Sequence, residues 1–169
     1  MFVGYRDRPT RYLELGVFEG RSLRWMAQHI LVHPESSAVA IDSWTGLERR
    51  YGKPKDIEAL ARKNLLPYKE KVRFINGILP QALEAIAGQK FDIIYVDDGH
   101  QPDHCYEVTK AVWPMLAPGG HIGWDDYEGF PYPPNHPLVK EGVERFLSEI
   151  PQDSHQDVIK GVVRWIRKA

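Results

Sequence analysis

The stretch FDIIYVDDGHQPDH, residues 91–104, decides how the chain is read. Its first six residues form a nearly continuous apolar run, the pattern of a parallel strand covered on both faces. Yet the run ends in two adjacent carboxylates, a glycine and a histidine. A second run, GGHIGWDDY (119–127), ends in the same way about one helical crossover later. A core strand needs no carboxylate pair at its tip, and two such tips call for a joint explanation.

Outward from this strand, short β-branched runs alternate with stretches of helical spacing. RYLEL (11–15) is a strand, and GVFEG breaks it before RSLRWMAQHIL, whose Leu23, Met26, Ala27 and Ile30 share a helical face. SAVAID is a second strand, DIEALARKNLL a helix, and KVRFI a third strand. LPQALEAIAG is expected as a helix with Pro80 in its first turn and Gly88 after its end. After the fourth strand come the helix CYEVTKAVWPML, the strand GGHIGWD, the helix PLVKEGVERFLSEI, and two terminal strands meeting near Lys160 and Gly161. This alternation predicts one α/β domain over 1–169, with 1–10 as a short lead. Its sheet is doubly wound and Rossmann-like, of about seven strands, mostly parallel with a C-terminal antiparallel strand, and helices on both faces. The proline-rich loop YEGFPYPPNHP (127–137) follows a strand's carboxyl end, the functional edge of such a sheet.

With 169 residues, one compact core is the default. Hydrophobic residues at 43% and charged residues at 27% exclude a disordered or fibrous chain. A formal net charge of -1 gives no global attraction to nucleic acid or an anionic membrane. No apolar run is long enough to span a bilayer, and the opening lacks the apolar centre of a signal peptide. A soluble cytoplasmic protein is expected. The single cysteine, Cys105, agrees with a reducing compartment.

Ligands of open parallel sheets bind outside the carboxyl ends of the strands. The first such turn, ELGVFEGRS, has G-x-x-x-G spacing and departs from the G-x-G-x-x-G of dinucleotide sites. Gly16 and Gly20 let the backbone approach a ligand, and the following helix offers unpaired N–H groups to an anion. Glu14 supplies an acceptor suited to an ammonium. An amino-acid ligand needs both; a tight turn with a solvated glutamate is the alternative. The second strand ends at Asp42, placed to accept from the two hydroxyls of a ribose or else to cap a turn.

The sequence closely resembles the class I S-adenosylmethionine-dependent methyltransferases. YLELGVFEGRSL is similar to their first motif as found in catechol-type and macrocin-type O-methyltransferases, and AVAIDSW to the ribose-binding motif. FDIIYVDDGH, LAPGGHIGWDDY and the later GVERFL resemble the family's fourth and fifth strands and the macrocin-type tail. Four motifs in order and at matched spacing cover nearly the whole chain from Arg11. The resemblance implies that Gly16 and Gly20 border the methionine part of the cofactor, with Glu14 and Ser22 near its amino and carboxylate groups. Asp42 would hold the ribose, and Asn76, Gly77 and Ile78 would lie by the adenine. Trp44 would pack on the purine or serve as a buried structural tryptophan.

In the metal-dependent members, an aspartate from the end of the fourth strand and an Asp-Asp or Asp-Asn pair from the end of the fifth bind a divalent cation. Those positions fall on Asp97, Asp125 and Asp126. Three converging carboxylates repel one another unless a cation joins them, and oxygen-only ligation favours magnesium. His100 falls where catechol-type enzymes carry a catalytic lysine. A histidine near neutrality suits a general base, which makes His100 and Asp97 the catalytic candidates. Macrocin-type relatives often read Asp-Gly-Asp-His here, whereas this chain reads Asp-Asp-Gly-His. A rival zinc set of His100, His104 and Cys105 is opposed by Pro102, which prevents an unbroken helix through both histidines. The remaining histidines, at 29, 33, 121, 136 and 155, form no cluster, though His136 lies on the proline-rich loop.

The expected activity is thus methyl transfer to a small hydroxylated acceptor, with S-adenosylmethionine and magnesium as the expected cofactors. The alternatives are metal-independent transfer to nitrogen or a macromolecule, and a non-catalytic cofactor-binding domain. Catechol-type relatives carry helices ahead of the first strand that close the acceptor pocket; here only about ten residues stand there, and a homodimer covering the cleft would compensate.

Overall fold

The computed structural model describes residues 1–45, 54–129 and 139–169. Most of the proline-rich loop, including His136, lies outside the described residues. The chain forms two compact units, Met1–Ala85 and Ile86–Ala169.

In the first unit, β1 (Arg11–Leu15), β2 (Ser37–Asp42) and β3 (Val72–Asn76) pair in parallel in the order β3-β2-β1. Tyr12 through Leu15 are all buried, as are Ala38 through Asp42, so these strands carry apolar side chains on both faces. Helix α1 (Arg21–His29) buries Leu23, Met26 and Ala27, and Ile30 closes the same stripe just beyond its end. Lys71 donates to the carbonyls of Leu31 and His33, both at 2.8 Å, and so closes the exit from α1. Helix α2 (Pro54–Asn64) brings Ala61 and Leu65 against the turn that precedes α1. The segment expected as a helix over 79–88 is instead a short 3-10 stretch, Gln81–Ile86, after a cis Leu79–Pro80 bond. Too few residues separate Pro80 from Gly88 to repay the nucleation of an α-helix.

In the second unit, β4 (Phe91–Val96) and β5 (Leu116–Trp124) are parallel, β7 (Arg164–Lys168) is antiparallel to β5, and β6 (His155–Ile159) is antiparallel to β7. The order is β4-β5-β7-β6. Helix α3 (Pro102–Val112) starts on a proline, whose missing N–H costs nothing in a first turn. It therefore begins after His100, in line with the break expected at Pro102. Helix α4 (Val139–Leu147) buries Val143, Phe146 and Leu147. It meets α3 at Gly142, where a Cβ would stand 2.2 Å from the Pro102 carbonyl oxygen and 2.7 Å from Cys105 Cβ. Strand β6 is exposed from Gln156 to Ile159, with Val158 at 41% and Ile159 at 47%.

The seven strands are mostly parallel with an antiparallel C-terminal strand, the α/β class expected from the sequence. Among the described residues no helix is long and apolar enough to cross a membrane.

Candidate active site

The turn after β1 is fastened by Asp42. Its Oδ2 accepts from the backbone N–H groups of Val17 (2.7 Å) and Phe18 (2.8 Å), and its Oδ1 from that of Trp44 (2.6 Å). Gly16 and Gly20 take φ values of 80° and 75°, and at Gly20 a Cβ would also stand 2.6 Å from Leu65 Cδ2. Phe18 and Trp44 are left-handed as well, at φ 48° and 51°, an unusual conformation for bulky residues. The Trp44 indole N–H donates to the Phe18 carbonyl at 2.8 Å, tying the two together. Trp44 is fully buried, so in this conformation its ring props the turn.

Glu14 lies beneath the same turn with no exposed surface, and is therefore not a solvated residue. It accepts from the hydroxyls of Tyr12 (2.5 Å) and Ser22 (2.6 Å). Burial pushes its carboxyl up to about 7 against the opposing pull of these two hydroxyls and the Leu23 N–H, with the Asp42 charge adding to the rise. At the end of β3, Asn76, Gly77 and Ile78 border a groove of about 890 Å³, further lined by Gln81, Ala82 and Ala85. Ile78 is 67% exposed there, and the Asn76 amide is held by Glu58 at 2.8 Å.

At the tips of β4 and β5 two of the four aspartates pair with histidines. His100 Nε2 lies 3.1 Å from Asp126 Oδ2, and His104 Nε2 lies 2.7 Å from Asp98 Oδ2. The Asp125 N–H donates to the Val96 carbonyl at 3.0 Å, and Asp97 is exposed. A cavity of about 10 Å³ bordered by Val96, His100, Trp124 and Asp125 has room for one water at most. Among the described residues no group of three or more His, Cys, Asp and Glu side chains is gathered to hold a metal ion. The magnesium set Asp97, Asp125 and Asp126 therefore does not fit a cation as arranged, because Asp126 is directed to His100. The rival zinc set is also unassembled. Cys105 donates to the Gly99 carbonyl at 3.2 Å, and burial, with the Asp98 charge, raises its thiol to about 11.

A methyltransferase-domain family matches residues 13–127, more than half of the chain. The chain belongs to this methyltransferase family. Among curated proteins none matches it. Solved structures that match include the O-methyltransferase NovP, at 19% identity and TM-score 0.73, covering 99% of this chain and 75% of that one. TomG from Streptomyces achromogenes, an O-methyltransferase of tomaymycin synthesis solved with S-adenosylmethionine, shares 22% identity with TM-score 0.68, covering 99% and 77%. An O-methyltransferase from Bacillus cereus, solved with S-adenosylhomocysteine, shares 20% identity with TM-score 0.68, covering 94% and 74%. These likenesses give the methyltransferase the Rossmann-like fold of those three structures.

The methyltransferase also carries a group that the sequence alone does not reveal. Tyr127, two residues past Asp125, is fully buried; its hydroxyl donates to Glu144 and accepts from Arg164 Nη1 at 2.9 Å. The buried Arg164 also reaches Glu144 and Asp157, each at 2.9 Å. Burial and the Glu144 bond raise the Tyr127 hydroxyl above its ordinary range. Glu144 is lowered: burial works against ionisation, but the Tyr127 hydroxyl and the Arg164 charge outweigh it. Glu144 belongs to the GVERFL motif, whereas nothing local in VVRW distinguishes Arg164.

Proposed function

We propose that this methyltransferase moves the sulfonium methyl of S-adenosylmethionine to an oxygen of a small hydroxylated acceptor, with His100 as general base. The observation that carries the reading is the His100–Asp126 pair. With Nε2–H donating to the aspartate, the basic lone pair of the imidazole stands on Nδ1, where it takes the acceptor's hydroxyl proton. Asp126 then stabilises the imidazolium that forms. When bound, S-adenosylmethionine supplies the electrophilic methyl. The residues present suit it: the groove bordered by Asn76, Gly77 and Ile78 is of the size that ligand pockets have, roughly 300–1,000 Å³. A carboxylate offers about four acceptor sites, and backbone donors take three of those on Asp42, so one remains for a ribose hydroxyl.

Three neighbouring structures named as O-methyltransferases support oxygen as the acceptor atom. Magnesium on Asp97, Asp125 and Asp126 is left out of the reaction scheme because these carboxylates do not converge. The test is a screen of catechols, phenols and sugar hydroxyls with S-adenosylmethionine, in magnesium and in excess chelator. The expected result is an O-methyl product in both conditions, lowered roughly 10²- to 10⁴-fold in His100→Ala. An N-methyl product, or undiminished turnover by His100→Ala, overturns the reading; loss of turnover in chelator, restored by magnesium, puts the metal back.

A further inference from the structure

Asp126 stands in the left-handed region at φ 49°, a backbone state that an aspartate tolerates but does not seek. Such a conformation persists only where its surroundings over-determine it. Here the constraint falls on the next residue. The Tyr127 N–H donates to the Val162 carbonyl at 2.6 Å, the Tyr127 carbonyl accepts from the Lys140 N–H at 3.2 Å, and the Gly129 N–H closes the turn on the Asp126 carbonyl at 2.8 Å. The hydroxyl end is clamped between Glu144 on α4 and Arg164 on β7. The Arg164 guanidinium lies 5.2 Å from the Tyr127 ring centre and is anchored from behind by Asp157 on β6. Helix α4, strand β7 and the β6–β7 turn thus converge on one tyrosine.

A buried guanidinium with two carboxylate partners is weak evidence of stabilisation, since apolar side chains of similar volume often serve as well or better. Such a network can serve instead to fix one geometry. The residue whose geometry is fixed adjoins Asp126, the partner of His100.

We propose that Tyr127, Glu144 and Arg164 are positioning residues: by immobilising Tyr127 they hold Asp126 in the left-handed turn that delivers its carboxylate to His100 Nε2. This rests on the reading of His100 as the base.

The test uses Tyr127→Phe, which keeps the ring and removes the hydroxyl, and Glu144→Gln, which keeps the shape and removes the charge. Asp126→Asn is the reference for a broken pair. At one fixed pH, the imidazole ¹⁵N shifts of His100 report which nitrogen carries the proton. In the wild type they are expected to show the Nε2–H form. Both positioning variants are expected to move toward the mixed pattern of Asp126→Asn, while affinity for S-adenosylhomocysteine changes less than about twofold. With an acceptor from the screen, kcat falls roughly 10- to 100-fold at nearly constant KM. Restoring the charge alone, as Glu144→Asp, is expected to recover part of both signals. Unchanged ¹⁵N shifts in Tyr127→Phe and Glu144→Gln, with only a lower melting temperature, overturn the proposal and leave the network as scaffold. Normal turnover by His100→Ala overturns the base assignment instead, and the ¹⁵N shifts still decide whether the network sets the histidine.

Discussion

Glu14 is a carboxyl group shut away from water, held by two hydroxyls that favour its charge less than burial opposes it. Its folded value, about 7, lies above the ordinary 4.5, so the fold binds a proton that the unfolded chain releases between those two pH values. The stability it contributes is therefore fully present below about 4.5 and is lost as pH rises through about 7. Glu14→Gln is expected to stabilise the protein at pH 8 by up to about 3 kcal/mol, and far less at pH 4.5, as urea melts at the two pH values would show. Other single residues show what one sequence can and cannot tell. Asp42 is legible as the acid ending β2, but not its grip on Val17, Phe18 and Trp44, because those bonds exist only once the turn has closed. Asp98 looks surplus in the motif DDGH; its partner, His104, reaches it only because the chain doubles back at Gly99 before α3 begins. The His100–Asp126 pair spans 26 positions, a separation at which no local pattern speaks.

Among the elements, β1 and β2 coincide with their apolar runs, because a strand buried on both faces leaves its limits in composition. Helix ends were less legible, since fraying and caps set them; α3 starts at Pro102 rather than Cys105. The 79–88 segment has helical spacing, but spacing does not measure whether a helix has length enough to form. The α3–α4 contact is another matter that composition hides. Gly142 could be any tolerated glycine in an amphipathic pattern, yet backbone and side-chain atoms of α3 occupy the space of its missing Cβ. Gly142→Ala is expected to push the helices apart and cost about 1–3 kcal/mol, measured as a lower urea midpoint with an unchanged slope. An alanine that left the midpoint unmoved would show the contact to be looser than its distances.

For the molecule as a whole, the methyltransferase assignment carries a thermodynamic consequence. A ligand that binds only the folded chain stabilises it by mass action, about 2.7 kcal/mol at one hundred times its Kd. S-adenosylhomocysteine at that level is expected to raise Tm by roughly 5–10 °C in a chain of this size. Magnesium added alone is expected to leave Tm unchanged, and a rise would show that the strand-tip carboxylates gather around the ion. Strand β6 sets a different property. It pairs with β7, ends the strand order, and exposes Val158 and Ile159. Such a margin offers its own backbone groups to a stranger of the same kind, so concentrated stocks would be expected to grow slowly into stacked, light-scattering aggregates. A lysine at position 158 would act as a gatekeeper, and static light scattering over days of storage would show whether it prolongs shelf life.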